Sequence, residues 1–129
     1  MITNTFNQEQ EECGFSAHGE FVFTFGSVTI KIEYTVDEQG CFVIADVTYK
    51  YNTLVEKLNE LLNENGKFNL STLNGELSLK NDNNGNIVMR LYSGHSYHGF
   101  ETSVSDNLEE FVSRFKQCLT EINQKVKSQ

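Results

Sequence analysis

The chain has no proline and no tryptophan, only three cysteines, and ten basic side chains against eighteen acidic ones. With no proline, no low-complexity run and no internal repeat there is nothing to serve as a linker, so residues 1–129 are expected to form a single domain. Cys13, Cys41 and Cys118 are odd in number and far apart, which fits reduced thiols in a cytosol-like compartment and not a disulfide scaffold. No apolar stretch is long enough to span a bilayer, and the opening MITNTFNQEQEECGF has neither the basic nor the apolar region of a secretory signal. The expected location is therefore cytoplasmic, with no membrane contact. The shortage of Lys and Arg, and the net charge of −8, argue against DNA or RNA as a ligand, because phosphate binding needs clustered cations. The same charge suits a basic partner, whose approach it would accelerate, and it also suits simple solubility.

What is present is a globular composition, 38% hydrophobic with ten Phe. The first nineteen residues are polar, with Glu9, Glu11 and Glu12 close together, and read as a loose arm. In EFVFTF, Phe21, Phe23 and Phe25 share one face. After the Gly26 turn, Val28, Ile30, Ile32 and Tyr34 alternate with Thr29, Lys31 and Glu33. Period-two alternation of this kind marks half-buried strands. CFVIADVTYK reads as a third strand, apolar on both faces and hence central.

The period then changes. Leu54, Leu58, Leu61 and Leu62 make one helical stripe, with Thr53 and Glu56 as a capping box and Gly66 as the closing residue, so a helix is expected over 54–65. GELSLKNDNNGNIVMRLYSG reads as a hairpin turning at Asp82–Gly85, and a further strand over 96–104 should pair with it. Leu108, Phe111, Val112, Phe115, Leu119, Ile122 and Val126 trace a second helix, capped by Asp106 with Glu109. The expected order is β-β-β-α-β-β-β-α. Short connections make this an α+β fold, a single antiparallel sheet of about five to six strands with both amphipathic helices on one face.

Chemistry is sparse. His95 and His98 in GHSYHG lack a third ligand at a familiar spacing, and the cysteines are isolated, so no metal is expected. There is no phosphate cradle, no GxSxG elbow and no carboxylate pair in a recognisable cleft, hence no catalytic residue and no cofactor is assigned. Cys41 and Cys118 read as small buried hydrophobes.

Binding has more support. Glu56, Glu60 and Glu64 form an acidic ridge at successive i+4 positions, softened only by Lys57, whereas helix two pairs Glu110 with Arg114 and Glu121 with Lys125. Glu33 and Asp46 add carboxylates among the first three strands. Phe42, Ile44, Val88, Tyr92 and Tyr97 are expected on the sheet face away from the helices, to be covered either by a partner or by Phe6 or Phe15 of the arm. The partner-binding set is thus Glu33, Asp46, Glu56, Glu60, Glu64, Tyr92 and Tyr97.

The run from GSVTIKIEYTVD through the Leu-striped helix, the GELSLKNDNNGNIVMRLYSG hairpin and NLEEFVSRFKQCL resembles WapI-like immunity proteins, small cytoplasmic proteins of bacterial polymorphic-toxin and contact-dependent inhibition systems. The likeness covers roughly residues 26–126 and carries no catalytic residues. It implies a protein that binds a cognate toxin domain, often a nuclease, whose basic charge would suit an acidic inhibitor, and blocks its active site or substrate groove. An acidic secretion chaperone and a small enzyme using His95 and His98 are the alternatives. The oligomeric state is left open.

Overall fold

The computed structural model describes residues 2–11, 14–73, 75–93 and 101–127. Along them run β1 (Ile2–Asn4), β2 (Asn7–Glu11), β3 (Gly14–Phe25), β4 (Val28–Asp37), β5 (Cys41–Ile44), β6 (Val47–Lys50), α1 (Tyr51–Leu61), β7 (Lys67–Thr72), β8 (Gly75–Asn81), β9 (Asn86–Ser93), β10 (Glu101–Asn107) and α2 (Leu108–Lys127). Every strand pairing is antiparallel. The class is α+β with two helices, as expected, but the strands divide into two sheets and the order differs from the expected β-β-β-α-β-β-β-α. One sheet runs β1-β3-β4-β5-β6 with β2 also on β3, and the other runs β10-β9-β8-β7.

Three local differences produce this. The polar N-terminal stretch, read as a loose arm, supplies β1, β2 and the start of β3. A single register carries through from Ile2↔Phe23 to Glu11↔Gly14, so β1 and β2 lie end to end along one edge of β3. A short edge strand of mostly polar residues carries too little apolar alternation to reveal it, although Ile2 of β1 is buried. The expected third strand folds back on itself: Ala45 and Asp46 both take positive φ, 50° and 66°, and Ile44 pairs with Val47. Two left-handed residues make the type I′ geometry that suits strand twist, here without the usual Asn-Gly. Val43 and Val47 are consequently 37% and 39% exposed, and the two-sided burial expected of a central strand is absent. Finally, Phe68 and Leu70 form β7, a strand not anticipated, whose neighbour is β8.

Both sheets turn their apolar rows to one core. Phe21, Phe23, Phe25, Ile32, Tyr34, Phe42 and Ile44 come from the first sheet, and Phe68, Leu70, Leu77, Leu79, Ile87 and Met89 from the second. Phe42 and Ile44 are thus inside, not on an open face as expected. The helices close the space between the sheets, α1 against β6, β7 and β8 and α2 against β1, β9 and β10. Phe115 of α2 reaches both sheets, with ring centroids 5.4 Å from Phe21 and 5.3 Å from Phe23 on β3 and 5.8 Å from Phe68 on β7. Tyr51 Oη lies 3.0 Å from Thr120 Oγ1, tying α1 to α2.

Helix ends also moved. α1 begins before the Thr53–Glu56 box, at Tyr51 with Lys50 in the N-cap position and no side-chain cap, because Gly40 O accepts the Tyr51 N–H at 3.2 Å. It ends at Leu61, so Leu62 leaves the stripe and is 43% exposed. Asn65, not Gly66, takes the left-handed conformation, with φ 59°. Gly66 is needed for closeness: a Cβ there would lie 2.3 Å from Glu60 O. The cap of α2 is Asn107, whose Oδ1 accepts the Glu110 N–H at 2.8 Å, one residue after the expected Asp106.

Candidate functional site

A concavity of about 740 Å³ opens where the first sheet meets the β7–β8 connection, bounded by Leu73 and the Ala45–Asp46 turn. Its residues fall in rows set by register. Asn7 faces His18, His18 faces Thr35, and Thr35 faces Val43. In the next row Glu20 lies directly opposite Glu33, with Thr5 beyond it. Asp46 adds a third carboxylate at the rim, and Leu73, 68% exposed, adds an apolar side. Like charges directly opposite on neighbouring strands weaken a sheet, so the Glu20–Glu33 pair contributes nothing to its own fold.

The floor is rigid. Thr5 N–H donates to Glu20 O at 3.0 Å, and Thr5 Oγ1 accepts the Glu20 N–H at 3.0 Å, so the hydroxyl takes the place of a backbone acceptor. That frees Thr5 O to accept from Tyr34 Oη at 2.7 Å. Gly19 makes this reach feasible, because a Cβ there would sit 2.0 Å from Thr5 O and 2.8 Å from Tyr34 Oη. Burial, and then the neighbouring Cys118, push the Tyr34 phenol far above its ordinary range, so at neutral pH it is a fixed donor. Cys118 lies buried against Ile2 O at 4.0 Å, and burial raises its thiol too, which keeps it protonated and unreactive. Cys41 is half-buried.

Of the residues read from sequence as partner-binding, only Glu33 and Asp46 share this concavity. Glu56 and Glu60 are exposed on α1, while Lys57 places its ammonium 5.5 Å over the Tyr49 ring. Glu64 is exposed but lies beyond the end of α1, so the three-step ridge is two residues long on the helix. Tyr92, 38% exposed, sits on the outer face of the other sheet. Tyr97, and with it His95 and His98, lies outside the described residues. Sequence reasoning passed over Glu20 and His18. Glu20 was legible, because a two-residue turn at Gly26–Ser27 places it opposite Glu33 by counting back from Phe25↔Val28.

Among the described residues no three His, Cys, Asp or Glu side chains gather as a metal-ligating group. No described helix is long and apolar enough to cross a membrane. Comparison of the chain with protein-family models, with curated proteins and with solved structures finds no match.

Proposed function

We propose that the chain is an immunity-type inhibitor that binds a basic toxin domain and blocks its active site or substrate groove, acting by occupancy and not by turnover. The observation that carries this reading is the Glu20–Glu33 pair opposed across β3 and β4, with Asp46 beside it, at the mouth of the concavity. Those carboxylates oppose one another in the free protein, and a Lys or Arg from a partner would relieve the repulsion. The −8 net charge adds a field that draws in a basic surface. Leu73 and Val43, both exposed beside the carboxylates, offer apolar contact to the aliphatic stem of such a side chain. The resemblance to WapI-like immunity proteins read from the sequence motivates the choice of an inhibitor.

The test uses the product of the neighbouring gene, which on this reading carries the toxin domain. Wild-type protein should protect cells producing it and should associate faster at low salt than at high salt. Glu20→Lys with Glu33→Lys should slow association by about tenfold or more and abolish protection, since steering charges act mainly on the on-rate. Unchanged kinetics in that variant would remove this concavity from the interface. Absence of any complex with the neighbouring gene product would remove the inhibitor reading.

A further inference from the structure

The outer face of the four-stranded sheet carries a second charged surface, of the opposite sign. Lys67 and Lys80 stand directly opposite each other on β7 and β8, both exposed. Neither has an ion pair among the described residues. In a chain with eighteen acidic side chains, one placed between them would have neutralised the pair. Instead their neighbours on that face are Asn69, Ser78 and Val88. Arg90, across from Ser78 and already engaged by a neighbour, forms the third corner.

These side chains shape a trough of about 480 Å³. Short Asn69 and Ser78 form its floor and supply amide and hydroxyl donors, while Lys67, Lys80, Arg90 and Tyr92 rise around it. Glu76 at one end and Asp82 at the other limit the basic stretch to about two rows of side chains. Asp82 is committed to its own turn, where the Asn84 N–H at 2.8 Å and the Asn86 N–H at 3.0 Å hold its carboxyl below the usual carboxylate range.

We propose that this trough binds an acidic peptide segment in extended conformation, with one carboxylate beside the Lys67–Lys80 pair and that of the second residue along beside Arg90. Alternate side chains of an extended peptide on one face are about 7 Å apart. Diagonal neighbours such as Lys80 and Arg90 are separated by about 7–8 Å at the backbone, so the spacings agree. A continuous phosphate backbone fits less well, since its unbroken row of charges would run past the two basic rows onto Glu76 and Asp82. The site is independent of the carboxylate concavity on the other sheet.

Fluorescence anisotropy with a labelled peptide of alternating Glu and Ser tests this at low salt. Binding is expected, with no binding of the peptide carrying Gln for Glu. Lys67→Gln with Lys80→Gln should weaken it by about tenfold or more, whereas Glu20→Gln with Glu33→Gln should leave it within about twofold. Ser78→Glu, which places a carboxylate on the floor, should abolish binding and guards against a folding defect in the lysine variant. Equal affinity in the wild type and the lysine variant, or no binding of the acidic peptide, overturns the proposal. Tighter binding of a single-stranded oligonucleotide of equal charge overturns the peptide assignment.

Discussion

Two residues of the carboxylate concavity hold it through backbone conformation more than through side-chain chemistry. Gly19 lets Tyr34 reach Thr5 O at 2.7 Å. Gly19→Ala should cost about 1–3 kcal/mol in urea melts, because backbone and not a flexible side-chain tip stands in the way of the new methyl group. Tyr34→Phe in the same chain should not rescue it, since the closest obstacle is the Thr5 carbonyl. Ala45 is the converse case, a side chain where glycine would be easier. Its φ of 50° costs an L-residue roughly 1–2 kcal/mol, and glycine gives back part of that as unfolded-chain entropy. Ala45→Gly should therefore stabilise the protein by about 0.5–1 kcal/mol. A destabilised Ala45→Gly would mean that its methyl group packs usefully at the rim.

At the scale of elements, helix boundaries depended on what lay nearby in space. The N–H of Tyr51 is satisfied by Gly40 O from the β4–β5 connection, so α1 starts without the Thr53–Glu56 box that its sequence offers. In α2 the capping is local and legible to within one residue. Asn107→Ala should cost about 1 kcal/mol, the usual loss when a side-chain cap is removed. A larger loss on Asp106→Ala would return the cap to the residue first expected. Glu110 and Arg114 meet at 3.3 Å on the exposed face of α2, as their spacing implied. The β5–β6 hairpin was illegible, because nothing in Ala45-Asp46 resembles a hairpin turn. Only packing of Phe42, Ile44 and Tyr49 into the core selects it.

For the whole molecule the decisive contact is Phe115, buried from α2 between the two sheets. Phe115→Ala should cost about 3–5 kcal/mol in denaturant melts, a large share of the roughly 5–15 kcal/mol that holds a domain together. Leu62→Ala, at a position 43% exposed, should cost less than about 1 kcal/mol although both residues belong to apolar stripes in the sequence. Comparable losses at the two sites would contradict the packing described. Charge is also organised at this scale. Carboxylates face each other across β3 and β4, lysines across β7 and β8, and only the division into two sheets puts them on separate surfaces.

The sequence by itself determined the α+β class, the antiparallel pairing and the apolar rows, because strand and helix periods follow from local geometry. Leu58, Leu61, Phe111, Phe115 and Leu119 were legible as core for that reason, and all are buried. It also determined that Glu33 is exposed, and, through the tight Gly26–Ser27 turn, that Glu20 opposes it. Tertiary structure decided the rest. Polar edge strands such as β1 and β2 have no apolar period, and are recognised only once β3 is there to pair with them. A turn of unfavourable residues is adopted only when the strands on either side gain more by burial. The ten strands of the described residues divide into two sheets because the apolar rows of both bury against each other and the helices, and that division carries the opposed charges to separate faces.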